Sequence, residues 1–225
     1  MNKKSIQLMD VREIPAYSIQ DVARYADIPR KTIEYWITGN GRPPVIITPS
    51  VHPPRFSFNN LIEFHLLSII RVKGVKLRRI RAAIRSMTNR WPRHPLLKAT
   101  LSTDGVYVFS ESLPGDLINE SLGGVAAFRE LLEIYLQRIE WDPASHVPLT
   151  LYPFVKKKIP SEPRLIQINP KVAFGRPVIT GTGISTAVIA SRFSARESVA
   201  SLAEEYGRPI QEIEEAIRWE EAKAA

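Results

Sequence analysis

Cysteine is absent from the 225 residues of this chain, which excludes a disulfide framework and any thiolate metal site and fits a reducing compartment. Histidine is scarce. His52, His65, His94 and His146 share no metal-ligand spacing with each other or with carboxylates, so they read as surface or packing residues and no metal or cofactor is expected. Long apolar runs are missing too: LIEFHLLSII, about ten residues, carries Glu63 and His65 and is far short of a membrane span. The opening MNKKSIQLMD lacks the apolar core of a signal peptide, so a cytoplasmic location is expected.

One absence is local. Between Glu63 and Asp104 there is no carboxylate, while Arg71, Lys73, Lys76, Arg78, Arg79, Arg81, Arg85, Arg90, Arg93 and Lys98 accumulate. Residues 1–100 hold 18 Lys or Arg against 6 Asp or Glu, a net of +12, whereas the remainder holds 13 against 17, a net of −4. A solvated helix face normally interleaves both signs, so the block points to a polyanionic partner for the N-terminal half.

What is present includes a repeat. SIQDVARYADIPRKTIEYWI, residues 18–37, is matched by SVASLAEEYGRPIQEIEEAI, residues 198–217, at a constant offset of 180. Ser18 and Asp21 have capping-box spacing, and Ile19, Val22, Ala23 and Ala26 form one apolar stripe. Asp27-Ile28 turns the chain, Pro29 opens a second helix, Ile33, Trp36 and Ile37 face inward, and Gly39 ends it. This is a helix-turn-helix pattern. Arg30, Lys31, Thr32 and Tyr35 are the candidate DNA contacts, joined by Arg42 and Arg55 from the proline-rich segment GRPPVIITPSVHPPRFSF, read as a wing. The second copy carries one basic and five acidic residues against three and three in the first. It suits a basic protein surface, and Glu204, Glu205, Glu212, Glu214 and Glu215 would repel phosphates.

Further along, Ser57 caps a third helix through LIEFHLLSIIRVK, and a fourth runs through VKLRRIRAAIRSM with Leu77, Ile80 and Ile84 inward and the cations outward. TLSTDGVYVFSE reads as a hairpin about Asp104-Gly105. A helical pattern from Asp116 to Glu140 places Phe128, Leu132, Tyr135 and Ile139 on one stripe, the candidate dimer interface. LTLYPF reads as a strand within a proline-rich linker, and short extended runs about Asn169-Pro170 and Gly175-Arg176-Pro177 precede a helix from Thr186 to Phe193.

No catalytic set stands out. GRPVITGTG has neither the GxxxxGK[ST] phosphate loop nor a complete GxGxxG, and the acidic run EIEEAIRWEE lacks an accompanying base or metal ligand. The chain is therefore not expected to be an enzyme.

Residues 17 to about 87 resemble the MerR-like winged-helix family, through YSIQDVARYADIPRKTIEYWI and through NNLIEFHLLSIIRVKGVKLRRIRAAI with its Gly74 and Leu77. By that resemblance Lys31 and Tyr35 match positions that touch DNA, and Arg55 lies in the wing. Glu34 departs from the usual basic residue, and this wing is longer and richer in proline. The tail, with NPKVAFGRPVITGTGI as its most specific motif, is similar to a small domain of unknown function found in VapB-type antitoxins. The combined resemblance implies an antitoxin of a type II toxin-antitoxin pair that neutralises a PIN-type ribonuclease toxin and binds operator double-stranded DNA to repress its own operon. Since such a toxin holds Mg²⁺ among carboxylates, Phe174, Arg176, Arg218 and Lys223 are the candidate toxin contacts, a basic side chain being one way to block the site.

The expected fold is mainly α with small β elements. Residues 1–98 form a winged helix-turn-helix DNA-binding domain, 99–160 a hairpin, dimerisation helix and linker, and 161–225 a three-helix, toxin-binding domain with short strands. A homodimer or higher hetero-oligomer with the toxin is expected. The alternative is a MerR-like transcription regulator whose C-terminal half binds an effector or a protein.

Overall fold

The computed structural model describes residues 10–72, 81, 84–85, 87–89, 92–100, 125–155 and 162–221. Over these the chain is mainly helical, with three small antiparallel strand pairs, as the patterning led us to expect. Helix α1 (Ile19–Tyr25) starts at a reciprocal cap: Ser18 Oγ accepts the Asp21 N–H at 3.2 Å, and the Asp21 carboxylate accepts the Ser18 N–H at 2.7 Å. Asp27 turns the chain at φ 53°, and α2 (Arg30–Thr38) follows Pro29 and stops at Gly39. No other residue suits that stop, because Gly39 sits at φ 70° and a Cβ there would lie 1.8 Å from the Arg42 carbonyl oxygen.

After α2 the chain folds back. Val45 N–H donates to the Trp36 carbonyl at 2.7 Å, and Val45 and Ile46 are both buried. Strands β1 (Ser50–Val51) and β2 (Pro54–Arg55) then pair as a hairpin, and Phe56 bridges to Tyr17. Helix α3 (Phe58–Val72) supplies the central aromatic layer. Phe64 stacks on Trp36 with ring centroids 6.1 Å apart and meets Phe56 edge-on at 5.2 Å.

After further helical residues at 81, 84–85 and 87–89 come helices α4 (Pro95–Thr100) and α5 (Val125–Leu136). The helix expected to reach Glu140 ends at Leu136, and Ile139 opens β3 (Ile139–Trp141), which pairs with β4 (Pro148–Leu151). The four-residue step from Tyr135 to Ile139 mimics a helical stripe, but the burial of Ile139, Glu140 and Trp141 alternates as in a strand. Three of the four residues read as a dimer interface face inward. Leu132, Tyr135 and Ile139 are buried within the chain's own core. The Tyr135 ring lies 5.0 Å from His65 of α3, and burial pushes its phenol up to about 12. Phe128 is in α5, but its side chain lies outside those described.

In the tail, β5 (Ile166–Gln167) pairs with β6 (Val178–Ile179), and helices α6 (Thr186–Ser194), α7 (Val199–Tyr206) and α8 (Ile210–Glu221) complete the chain. Packing crosses the boundary expected at residue 161. Ile168 bridges to Leu151, and the buried Arg138 donates to the carbonyls of Tyr152 at 2.8 Å, Glu162 at 2.6 Å and Pro153 at 3.0 Å. A single apolar core runs from Tyr17 to Trp219. The hairpin expected about Asp104-Gly105, and Lys73, Lys76, Arg78 and Arg79, lie outside the described residues.

Candidate functional site

Helix α2 turns Ile33, Trp36 and Ile37 inward, so its 3.6-residue period leaves Arg30, Lys31, Glu34 and Tyr35 on the opposite face. All four are exposed, and Thr32 is half-buried. Arg42 after the helix and Arg55 at the hairpin are exposed as well. Among the described residues, none of Arg30, Lys31, Arg42 and Arg55 has a carboxylate partner. Four cations without a carboxylate partner among the described residues are available to meet external anions.

One arginine of the basic block does something else. Arg81 is buried, against the expectation that the cations of its helix point outward. Its Nε donates to the Pro43 carbonyl at 3.2 Å and its Nη2 to the Gly39 carbonyl at 3.3 Å. Its guanidinium also stands 4.9 Å from the Tyr35 ring centroid, and its hydrogen bond draws the Tyr35 phenol below its usual pKa. Arg81 therefore neutralises the negative end of α2 and fixes the loop that follows it. The signal was in the sequence: position 81 shares the phase of Leu77, Ile80 and Ile84.

The two repeated patterns adopt the same local structure. Ser198 Oγ accepts the Ser201 N–H at 3.1 Å, as Ser18 does from Asp21 at 3.2 Å. Gly207 turns at φ 59°, and its counterpart Asp27 at 53°. Ile28 N–H to Ala23 carbonyl and Arg208 N–H to Ala203 carbonyl are both 3.0 Å. The surfaces differ. Where α2 has Arg30 and Lys31, α8 has the exposed Ile210 and Gln211. Several acidic residues of the second copy are engaged internally: Glu205 with Arg192 at 2.5 Å, Glu212 with Arg208 at 2.7 Å, and the buried Glu215 with Arg218. Among the described residues, the exposed carboxylates without such pairs include Glu204 and Glu214. The acidic face is thus narrower than composition suggested.

Between β5 and β6 the tail presents a tight turn. Ala173, Phe174 and Gly175 take positive φ of 47°, 55° and 76°, a left-handed run that costs a phenylalanine of the order of 1–2 kcal/mol. Phe174 is 92% exposed, the most exposed large apolar side chain described. Gly175 is pressed against Tyr17, and Arg176 is exposed without an ion pair among the described residues. Of the other two candidate toxin contacts, Arg218 is tied to Glu215, and Lys223 lies outside the described residues.

Helix α8 packs against α1. Arg24 of α1 forms an ion pair with Glu220 of α8, and its guanidinium lies 5.6 Å from the Trp219 ring centroid. Tyr25 meets the same indole at 5.9 Å. Glu220 Oε1 also accepts the Thr186 hydroxyl at 2.5 Å. Burial raises the pKa of Tyr17 and Tyr25. Nothing in the local sequence pairs α1 with residues so distant, so this joint was not legible there.

Among the described residues no three His, Cys, Asp or Glu side chains gather closely enough to hold a metal ion, and no helix is long and apolar enough to cross a membrane. His94 lies between two carboxylates, with Nδ1 at 2.9 Å from Glu63 and Nε2 at 3.1 Å from Glu13. Burial opposes its protonation, but the hydrogen bonds and charges of Glu63 and Glu13 together outweigh that and raise its pKa.

Residues 166–219 match the family described as "Protein of unknown function (DUF433)". The chain is 27% identical over 232 residues to a Mycobacterium tuberculosis protein named "Putative antitoxin VapB45", a similarity that covers 91% of this chain and 93% of the relative. The crystal structure of Rv2018 from Mycobacterium tuberculosis matches 91% of this chain and 98% of its own, with a TM-score of 0.68 at 23% identity. At that identity the likeness shows a shared fold.

Proposed function

We propose that this protein is the antitoxin of a type II toxin-antitoxin pair, neutralising a PIN-type ribonuclease through its tail and binding operator DNA through α2. The near end-to-end similarity to a protein named as an antitoxin supports the role. The observation that carries the division of labour is Phe174, 92% exposed on a left-handed turn beside Arg176, which has no ion pair among the described residues. An aromatic held proud of the surface next to a guanidinium has the composition of a protein-binding hot spot. The guanidinium would enter the carboxylate cluster of the nuclease while the ring fills an adjoining apolar recess.

Arg30, Lys31, Thr32 and Tyr35 meet the DNA in this reading, with Arg42 and Arg55 on flanking phosphates. Operator binding is by a homodimer, since one small module offers few specific contacts. The dimer surface is one other than the buried stripe of Leu132, Tyr135 and Ile139.

The test is co-expression with the nuclease encoded by the neighbouring gene. Phe174→Ala and Arg176→Ala should each weaken the complex by roughly 2 kcal/mol, about thirtyfold, and abolish growth rescue. Both variants should retain operator binding. Replacing Arg30 and Lys31 with alanine should do the reverse, costing roughly 1–3 kcal/mol per lost specific contact on the promoter. Full neutralisation by the Phe174→Ala, Arg176→Ala double variant would overturn the assignment of the turn.

A further inference from the structure

Between the loop that follows α2 and the helical residues 81, 84–85 and 87–89 lies a cavity of about 190 Å³. Pro43, Pro44, Val45, Ile47 and Ile84 line it and contribute no polar side-chain atom. Glu63, only 2% exposed, lines it as well. Glu63 Oε2 is engaged by His94 Nδ1 at 2.9 Å and by Asn60 Nδ2 at 3.3 Å. Glu63 Oε1 is buried and has no hydrogen-bond partner among the described residues, a state that favours any ligand able to donate to it.

Most other polar groups on the wall are engaged. Arg81 serves the Gly39 and Pro43 carbonyls, His94 serves Glu13 and Glu63, and the Thr88 hydroxyl donates to the Ile84 carbonyl at 2.7 Å. Arg85 is different. It lines the cavity, is exposed, and makes neither an ion pair nor a hydrogen bond with any described residue. The cavity therefore combines a buried acceptor with an unsatisfied oxygen, an uncommitted guanidinium and hydrocarbon walls.

We propose that this cavity binds a small zwitterion with an apolar body, the chemical class of the apolar α-amino acids. The ammonium donates to Glu63 Oε1, the carboxylate pairs with the Arg85 guanidinium, and the side chain lies among the prolines and aliphatics. Each feature selects. An ammonium is the donor whose charge matches a buried carboxylate, and a guanidinium takes a carboxylate in its fork. The volume is below the 300–1,000 Å³ typical of pockets for larger ligands, which excludes nucleotides and most cofactors. None of the proposed DNA or toxin contacts lines the cavity, although Arg81 on its wall stands against Tyr35 of α2, so ligand binding here can be read without DNA or toxin.

The test is calorimetric titration of the full chain, without DNA or toxin, using leucine and phenylalanine as probes. 3-Methylbutylamine and 4-methylpentanoate serve as leucine lacking the carboxylate or the amine. Saturable binding of at least one amino acid is expected, with each truncated probe at least tenfold weaker. Glu63→Gln should erase the preference for the ammonium and Arg85→Gln the preference for the carboxylate. Thr88→Phe, at a half-buried position on the wall, should fill the cavity and abolish binding while the far-ultraviolet spectrum and melting temperature confirm folding. Absence of saturable binding by both amino acids would overturn the proposal, as would undiminished binding by folded Thr88→Phe protein.

Discussion

Gly175 stands so close to Tyr17 that a Cβ placed on it would lie 2.3 Å from the tyrosine oxygen, at a backbone φ of 76°. Gly175→Ala therefore combines a left-handed alanine with a steric clash. It should lower stability by roughly 1–3 kcal/mol, read as a shift of the urea midpoint. Tyr17→Phe removes the clashing oxygen, which is buried without a hydrogen-bond partner among the described residues. That single change should be neutral or stabilising, and the double variant should recover part of the alanine's loss.

Trp219 is fully buried against Tyr25 and Arg24. Trp219→Ala should cost about 3–5 kcal/mol. A fragment starting at Ser161 contains no other tryptophan, so its fluorescence reports on this joint alone. Loss of α1 should shift the emission to the red relative to the full chain's Trp219, isolated by replacing Trp36, Trp91 and Trp141 with phenylalanine. An unshifted spectrum would show that the tail keeps its indole covered without α1.

The helices were largely legible because their signals are local. Ser18 with Asp21, Pro29, Gly39 and Ser198 mark ends through caps and turns that involve only near neighbours. The stripe ending at Ile139 was misread for an equally physical reason: periodicity says which residues are covered and is silent on what covers them. Here α3 and the chain's own strands cover them. Contacts such as Arg24 with Glu220 depend on tertiary geometry that no spacing encodes.

Leu132 turns that misreading into a test. At 0% exposure, Leu132→Glu buries an unpaired charge and should leave no folded protein at any concentration, because its cost exceeds a few kcal/mol. A dimer seam would instead give a folded monomer, distinguishable by circular dichroism with light scattering.

Arg81 holds the last turn of α2 through the Gly39 and Pro43 carbonyls. Arg81→Ala removes both hydrogen bonds, leaving the Gly39 carbonyl with the Arg42 N–H alone, a loss of roughly 1–3 kcal/mol. Lysine cannot serve both carbonyls with one planar fork, so Arg81→Lys should recover only part. Amide exchange at residues 39–46 should accelerate in both variants, most in the alanine.

His94 makes stability depend on pH. Its folded pKa is raised above its ordinary 6.5, so the imidazolium contributes fully below about 6.5 and its contribution is lost as pH climbs through the folded value. Urea midpoints should fall from about pH 6 to pH 9, a span bracketing the ordinary value and its raised counterpart. His94→Gln should flatten that slope. A wild-type midpoint that rises over the same span would contradict the arrangement of Glu13, His94 and Glu63.

Building one helical hairpin twice also creates an ambiguity for the folding chain. Both copies offer nearly the same aliphatic ridge, Val22, Ile33 and Ile37 in one and Leu202, Ile213 and Ile217 in the other, so each can compete for the other's berth before the core closes. The degeneracy is broken by size. Trp36 stacks on Phe64, while the equivalent position holds Ala216; Trp219 fills the space beside Tyr25, while its equivalent is Gly39. Two indoles at non-equivalent sites act as keys of different cut, and each admits only its own hairpin.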